Sequence, residues 1–298
     1  MTIPSQQYAG LSEDVYKDRA VGQRRPGEEE ILVVEGQRYA VLEHVNNKAT
    51  GYQGTVYRRE GTDEVVVAHR GTEGKLDDIL TDASMVRSRH NPQADDALAL
   101  TQRARDYAQE YGKQSGHAPE VTVTGHSLGG ALAQVAAHHY DLKGETFNAY
   151  GAASLAYRIP EGGNSVVNHV MASDPVSAAS PHYGQVRIYA KPDEIATLGA
   201  AGYSNSRANF LIPDSPVVAA GASLGAHKLG NFLNEGSVLN DPNARPLAEQ
   251  NKRMIDEYRT DLDQIRAGIT VISRSGPGLG RDVIDAVRGP LAPGEPAR

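Results

Sequence analysis

Short apolar runs and turn residues alternate through the first part of the chain, after an amphipathic stretch that predicts a helix over 7–19. The runs are rich in β-branched residues, and Gly, Asn and Asp stand between them. They occupy residues 31–34, 39–42, 54–57 and 65–68. Runs this short and this closely spaced predict an antiparallel meander of β-strands.

Farther along the chain, helical and strand patterns alternate. Apolar spacing predicts helices over 76–85 and 96–114, and an Ala-rich run predicts another over 131–139. The predicted strands of this part lie at 121–124, 145–150, 166–171 and 186–190. This alternation is typical of an α/β fold, in which helices cover both faces of a mixed, mostly parallel sheet. The antiparallel strands then form the N-terminal side of that sheet.

The pattern changes again after the last predicted strand. Residues 195–233 are small, Gly-rich and poor in charge, whereas 246–273 have the period of one long amphipathic helix that begins at a Pro. A short helix is predicted over 281–288, before a linker-like tail. We therefore predict a main α/β domain over 1–240. Residues 241–298 form a C-terminal helical extension and tail that either packs on that domain or leaves it.

The composition narrows the class of protein. The 298 residues are 39% hydrophobic and 22% charged, which is typical of a soluble globular chain. A formal net charge of −7 argues against nucleic acid or an anionic membrane as the main partner. There is no Cys, so disulfides and thiolate metal sites are excluded.

No targeting segment is visible in the sequence. Residues 1–14 have no apolar signal region, and no run approaches the length of a transmembrane helix. These features predict a protein that is cytoplasmic in the producing cell, or that is secreted or delivered without a Sec signal peptide.

The segment from Gly125 through Ser127 to Gly129 carries the strongest chemical signal. A β-branched run precedes it and the Ala-rich helix follows it, which is the strand–turn–helix context of a nucleophile elbow. Glycines are expected at both ends because a Cβ there would crowd the neighbouring strand and helix. The helix N-terminus then points free backbone N–H groups at negative charge that develops near Ser127.

A serine nucleophile needs a base, and the base needs an orienting carboxylate. In α/β hydrolases these groups follow in the chain order Ser, Asp or Glu, His. Asp174 comes just after the predicted strand 166–171 and before a Pro, at the sheet edge where such sites form. It is the preferred acid. Asp193, after another predicted strand, and Asp214, in a loop, stay open as alternatives.

Only two histidines follow Asp174 in the chain. His182 is close to it in sequence for a side chain that must reach back over the sheet. His227 lies in a Gly- and Ala-rich loop before an apolar segment, which suits an imidazole that must move. We prefer His227, with His182 as the alternative. His126 is expected to pack or to form hydrogen bonds rather than to act as the base.

An oxyanion hole needs two donors. One expected donor is the backbone N–H of Leu128, directly after the nucleophile. The other is Thr72, whose N–H and hydroxyl follow the predicted strand 65–68 and a turn at Gly71. The alternative for this stretch is a strand that simply ends in a glycine turn.

Together these motifs resemble the class 3 lipase family over about residues 31–233. The matching segments are 69–72, 78–82, 125–130, 174–176 and His227. The resemblance implies the α/β-hydrolase fold, a catalytic triad of Ser127, Asp174 and His227, and a place for Thr72 in the oxyanion hole. The chain departs from the family at His69, where Phe is usual, at Ile79, where an aromatic residue is usual, and at 148–152.

The family includes triacylglycerol lipases and phospholipases A1, so the resemblance implies hydrolysis of a lipid ester through an acyl-enzyme on Ser127. Phospholipase A1 activity is favoured over triacylglycerol lipase activity. A soluble short-chain esterase is one alternative. A phospholipase effector delivered to another cell, with an immunity protein as its inhibitory partner, is a second. A catalytically dead scaffold is disfavoured because every triad member is present in order.

The implied substrate is a phospholipid or acylglycerol met in transient contact with a membrane surface. No metal, cofactor or nucleic acid is required. His126, Arg87, Phe210 and Leu211 are candidate substrate contacts. The loop 84–91 around Arg87 is basic rather than apolar, so it either meets lipid phosphate or is ordinary solvated surface.

Overall fold

The computed structural model describes residues 3–71, 91–155, 157–206 and 214–275, with the backbone alone from 269 onward. The predicted helices at 76–85 and 281–288 lie outside the described residues.

Residues 3–71 form one helix and five strands. These are α1 (Ser5–Asp14), β1 (Gly22–Gln23), β2 (Glu30–Val34), β3 (Gln37–Asn47), β4 (Tyr52–Arg59) and β5 (Val65–His69). β1 and β2 both pair with β3, β3 pairs with β4, and β4 pairs with β5, all in antiparallel register. The predicted antiparallel meander is confirmed.

From residue 94 to residue 200, helices and strands alternate. The elements are α2 (Ala94–Ser115), β6 (Val121–His126), α3 (Leu128–Tyr140), β7 (Lys143–Phe147), a single 3₁₀ turn at Ala152–Ser154, β8 (Gly162–Met171), α4 (Pro175–Ala178), β9 (Tyr183–Tyr189) and α5 (Pro192–Ala200). Strands β5 to β9 pair in chain order, and all four of these pairings are parallel. The carboxyl ends of β6, β7 and β8 therefore meet at one edge of the sheet.

The remaining described elements follow the last strand. They are α6 (Pro216–Ala222), single 3₁₀ turns at Leu224–His227 and Leu229–Phe232, α7 (Ala244–Gln250) and α8 (Lys252–Ser275). Among the described helices, none is both long enough and apolar enough to cross a membrane.

Helices cover both faces of the sheet, as the α/β prediction requires. Along β5, Val66 and Ala68 point into a core shared with α1, Phe232 and the start of α7. Val65 and Val67 point to the opposite face and pack with α2 and α3. Alternate residues of one strand thus enter separate cores, which explains why this strand reads as a continuous apolar run.

The prediction of one long helix over 246–273 is wrong, because the chain forms α7 and α8 with a break at Asn251. The Asn251 side-chain amide donates to the Leu247 carbonyl at 2.8 Å, and its oxygen accepts from Asn205 at 2.8 Å. Asn side chains compete with the helix for backbone groups in this way. The amphipathic period continues across the break, so the sequence pattern does not reveal it.

Two other elements are shorter than predicted. α1 ends at Asp14 because Arg19 folds back to it, with a guanidinium–carboxylate distance of 2.7 Å, while the hydroxyl of Tyr57 donates to the same carboxylate at 2.8 Å. β7 ends at Phe147 because Asn148 has a φ of 43°, which is left-handed backbone outside the strand region.

Three buried histidines give the fold a dependence on pH. Burial lowers the pKa of His69 and of His126 to about 3 and the pKa of His182 to about 4. Each imidazole is therefore neutral in the folded protein, whereas in the unfolded chain it takes up a proton below about pH 6.5. The unfolded state binds more protons than the folded state at low pH. The free energy of unfolding therefore has its full value above about pH 6.5 and falls as the pH drops toward 4.

We expect a His182→Gln substitution to weaken this dependence by up to about 1.4 kcal/mol per pH unit between pH 6 and pH 4.5. The Gln amide can still donate to the Ala149 carbonyl that His182 contacts at 2.9 Å. Urea unfolding at several pH values measures the slope. The exposed His117→Gln is the matched control and should leave it unchanged. Equal slopes for both variants would contradict the assignment.

Candidate functional site

The turn between β6 and α3 holds Ser127 in strained backbone geometry. Its φ is 57° and its ψ is −125°, which is unusual for a residue with a side chain. The Ser127 N–H donates to the Phe147 carbonyl of β7 at 3.2 Å, and its own carbonyl accepts from Gly130 and Ala131 in the first turn of α3. The turn thus lifts the side chain out of strand β6 at the sheet edge, as a nucleophile elbow does.

The two motif glycines are required by close backbone packing. A Cβ on Gly125 would overlap the carbonyl group of Gly129. A Cβ on Gly129 would overlap the carbonyl oxygen of His69 at the end of β5. The expected crowding at both positions is confirmed.

Three side chains from distant parts of the chain form one row of hydrogen bonds. His227 Nε2 lies 3.0 Å from Ser127 Oγ, and His227 Nδ1 lies 2.9 Å from Asp174 Oδ1. All three residues are at most 2% exposed. Because a carboxylate can only accept, Nδ1 carries the proton, and Nε2 then accepts from the Ser127 hydroxyl. The structure brings together the three residues that the sequence analysis selected.

Asp174 is held by the N-terminus of α4. One carboxylate oxygen accepts from Val176 N–H at 3.1 Å, and the other accepts from Ser177 N–H at 3.0 Å. Burial alone would raise the pKa of the Asp174 carboxyl, but His227 and the Ser177 hydrogen bonds outweigh it and hold that pKa below its usual value. The acid therefore stays ionised beside the imidazole.

His227 lies in a 3₁₀ turn rather than at a strand end, and polar side chains hold its backbone. The Asn148 amide donates to the Ala226 carbonyl at 2.7 Å, and the Asn231 amide reaches the same carbonyl at 3.0 Å. His126 Nε2 lies 2.8 Å from the His227 carbonyl itself. Consecutive carbonyls of the turn are thus anchored to different parts of the fold.

Both ring nitrogens of His126 are occupied by protein atoms. A carbonyl only accepts, so Nε2 donates to His227, and Nδ1 then accepts from the Tyr16 hydroxyl at 3.1 Å. The guanidinium of Arg70 lies 5.3 Å from the centre of the Tyr16 ring. His126 therefore contacts the backbone of the imidazole segment, and its expected contact with substrate stays a prediction.

The alternative residues do not belong to the hydrogen-bonded row. His182 donates to the Ala149 carbonyl, and Asp193 lies in the first turn of α5. Asp214 is exposed at the start of the described segment that leads into α6. None of these three has a recorded hydrogen bond to Ser127 or His227 within the described part of the chain.

Of the two residues expected to form the oxyanion hole, the structure describes Leu128 but not Thr72. Leu128 begins α3, and the first N–H groups of a helix have no partner within it. Gly71 reaches this place from β5, since a Cβ on it would lie 3.3 Å from the Ser127 Cβ. Thr72, the next residue, lies outside the described residues, as do Arg87, Phe210 and Leu211. Their roles stay predictions.

Sequence reasoning missed the residues that hold the triad in place, chiefly Asn148, Asn231 and Tyr16. Asn148 falls inside the predicted strand 145–150 and begins the segment 148–152 that departs from the family pattern, which was the one signal near it. It also accepts from Met171 N–H at 2.8 Å, so it joins the ends of β7 and β8 to the His227 turn. In residues 3–71, 91–155, 157–206 and 214–275 there is no cluster of three side chains suited to a metal ion.

We expect Asn148→Ala to lower both stability and esterase activity. It removes the partner of the buried Met171 N–H, at about 1–3 kcal/mol, and it leaves the Ala226 carbonyl with the Asn231 amide alone of the two donors described above. Asn234 is the matched control, because it is exposed and has a left-handed φ of 60°. Asn234→Ala should lower stability only by the cost of placing Ala in left-handed backbone, about 1–2 kcal/mol. Urea unfolding and ester hydrolysis measure the difference, and equal losses in the two variants would contradict the anchoring role.

Several solved lipase structures are similar to this chain. The Rhizomucor miehei lipase in its propeptide complex has 16% identity and a TM-score of 0.36, over 51% of this chain and 57% of that one. Lip2 lipase from Yarrowia lipolytica has 14% identity and a TM-score of 0.42, over 62% and 77%. A triacylglycerol lipase from Penicillium expansum has 19% identity and a TM-score of 0.41, over 79% and 94%. The chain spans little more than half the length of the Rhizomucor lipase.

No curated protein sequence is significantly similar to this chain. The profile of a phospholipase-like family, described as the Tle-like phospholipase domain, matches residues 7–178. That interval is more than half of the chain and contains the nucleophile turn and Asp174. The predicted relationship to a lipase-like phospholipase family is confirmed. On this match the chain belongs to the family of Tle-like phospholipase domains.

Proposed function

We propose that this protein is a serine phospholipase that cleaves a carboxylic ester of a membrane phospholipid. The observation that carries the proposal is the row of hydrogen bonds from Ser127 through His227 to Asp174, at 3.0 Å and 2.9 Å. Its order and tautomer are those that nucleophilic acyl transfer needs. Membership of the Tle-like phospholipase family supports the choice of substrate class.

The first half of the reaction acylates the serine. His227 Nε2 takes the Ser127 proton while Oγ attacks the ester carbonyl carbon, and the carbonyl oxygen becomes an oxyanion. The Leu128 N–H and Thr72 stabilise that oxyanion. When the tetrahedral intermediate collapses, the ester C–O bond breaks and the alcohol, a lysophospholipid, leaves with the proton from His227.

Water repeats the cycle on the acyl-enzyme. His227 removes a proton from the water, the hydroxide attacks the acyl carbon, and Ser127 Oγ leaves with that proton as the fatty acid is released. Asp174 keeps the imidazole in the required tautomer and stabilises the imidazolium in both halves. The residues of this chain supply every proton transfer in the cycle.

We expect Ser127→Ala to abolish hydrolysis and Asp174→Asn to lower kcat by about 10⁴-fold. Product analysis on vesicles of phosphatidylethanolamine and phosphatidylglycerol measures both, with fluorophosphonate labelling as the check on the nucleophile. Phospholipase A1 activity yields a free fatty acid from the sn-1 position and a 2-acyl lysophospholipid. Turnover by Ser127→Ala at the wild-type rate would rule out the mechanism.

Parallel assays separate the alternative substrates. A triacylglycerol emulsion tests for triacylglycerol lipase activity, and p-nitrophenyl butyrate tests for a soluble esterase. Cleavage of the short ester by wild type, without release of fatty acid from vesicles or emulsion, would support the esterase instead. Each assay uses Ser127→Ala as the matched control.

We further propose that the protein is an effector that acts on the membrane of another cell. It would remain cytoplasmic in the producing cell or leave it without a Sec signal peptide, and an immunity protein would restrain it. Membership of the Tle-like phospholipase family supports this assignment.

Expression with and without an added Sec leader in a Gram-negative bacterial host tests the effector role. We expect growth arrest when the chain is exported to the periplasm, the side from which the proposed effector would reach the membrane of another cell, and normal growth for exported Ser127→Ala. If both exported proteins leave growth unchanged while purified wild type hydrolyses vesicles, the effector role is wrong and the phospholipase activity stands.

A further inference from the structure

Helix α8 contacts the turn that carries Asp174, although α8 lies wholly outside the family-matched residues 7–178. We propose that α8 is a positioning element for the catalytic acid, in which Tyr258 and Arg259 fix the Asp174 turn in reach of His227. The inference rests on the proposed serine mechanism, and it assigns these two residues a part in the catalysis of this chain.

The residue before Asp174 is held by two helices. The hydroxyl of Tyr258, fully buried, donates to the Ser173 carbonyl at 3.0 Å. From α5, the buried carboxylate of Glu194 accepts from the Ser173 N–H at 2.9 Å and from its hydroxyl at 2.8 Å. Both backbone groups of Ser173 are therefore engaged, which leaves the entry to the turn little freedom.

The other side of the turn is held by a guanidinium. Arg259 donates to the Ser177 carbonyl at 2.8 Å and to the Ser177 hydroxyl at 3.3 Å. Ser177 in turn donates its N–H to the Asp174 carboxylate at 3.0 Å and its hydroxyl to the Asp174 carbonyl at 3.4 Å. A continuous path of hydrogen bonds therefore runs from α8 to both the side chain and the backbone of the acid.

The Asp174 turn needs such support because α4 is only four residues long. A helix of one turn is unstable by itself, since forming its first hydrogen bond fixes several backbone angles at once. Arg266, two turns beyond Arg259 on the same helix face, donates to the Ala179 carbonyl just after α4 at 2.9 Å. The α8 contacts therefore reach the residues before, within and after this single turn.

The positive charge of Arg259 supports the catalytic acid in addition to its hydrogen bonds. Burial lowers the pKa of the Arg259 guanidinium, and the negative charge of Asp174 offsets part of that effect. The cation therefore lies close enough to the acid for their charges to interact. Placing a cation near a buried carboxylate favours its ionised form, which is the form that supports the imidazolium.

The first experiment compares kcat and KM on the phospholipid vesicles. We expect Arg259→Met to lower kcat by about 10-fold and Tyr258→Phe by about 3-fold, with KM unchanged, because a displaced acid affects the transition state rather than substrate binding. Arg259→Lys should recover part of the loss, since Lys retains the charge and one donor.

Two variants serve as matched controls. Arg253→Met removes an exposed arginine from the same helix. Tyr203→Phe removes a hydroxyl from the same apolar cluster, where Tyr203 donates to Asp261 of α8 at 2.9 Å, and it keeps the ring that packs against Tyr258. Both should keep kcat within about twofold of wild type, even where Tyr203→Phe lowers the stability of α8 by about 1 kcal/mol.

The second experiment asks whether Arg259 acts through Asp174. Fluorophosphonate labelling of Ser127 is followed for wild type, Arg259→Met, Asp174→Asn and the double variant. If Arg259 positions the acid, its substitution changes the labelling rate of Asp174→Asn by less than about twofold, because the effects of coupled residues do not multiply. If Arg259 acts only on overall folding, Arg259→Met should lower the labelling rate by the same factor in wild type and in Asp174→Asn.

The outcomes distinguish the two proposals. If wild type neither hydrolyses ester nor labels, the serine mechanism fails and this inference fails with it. If wild type is active and Arg259→Met equals Arg253→Met, or its effect multiplies with Asp174→Asn, the α8 role is wrong and the mechanism stands. Should Arg259→Met not fold, Tyr258→Phe and Arg259→Lys in the same two backgrounds decide the question.

Discussion

The candidate site depends on hydrogen bonds that hold a segment with no strand or long helix of its own. Ser127 and Asp174 come from turns at the carboxyl ends of the parallel strands β6 and β8, on either side of β7, so the sheet places them. His227 has no such support. Its carbonyl and that of Ala226 are held by His126 and Asn148, side chains that follow or end strands β6 and β7. The sheet thereby extends its control of geometry to a loop far along the chain, since His227 lies 101 residues beyond His126 and Ala226 lies 78 residues beyond Asn148.

The need to hold the His227 turn by hydrogen bonds also explains why this site uses so many neutral polar groups. The side chains of three residues are partly or wholly buried, and each donates a hydrogen bond to a backbone carbonyl: His126, Asn148 and Asn231. A buried carbonyl without a donor would cost the fold free energy, so these contacts stabilise the segment and set its position together. Burial keeps His126 uncharged, which leaves it a donor on one nitrogen and an acceptor on the other. His126 therefore has a structural role, while the neighbouring His227 can transfer protons.

Much of the fold could be predicted from the sequence because the relevant signals are local. β-branched runs, an Ala-rich segment and the glycines around Ser127 each act within a few residues. The chain order of an α/β hydrolase, together with the place of Asp174 after a predicted strand and of His227 in a small-residue loop, selected the three residues that lie in one row. The break at Asn251 and the anchors of the His227 turn were missed for a common reason. Each is a side chain bonded to a backbone group elsewhere, and such a contact leaves no period or motif in the sequence.

The position of α8 in the chain has a consequence for synthesis. The ribosome produces the nucleophile turn, the acid and the imidazole before it produces Tyr258, Arg259 and Arg266, which bond to the residues around the acid. A growing polypeptide can therefore complete its sheet while the acid still lacks its outer support. On the proposed mechanism, full hydrolytic competence would arrive only after translation has passed this helix.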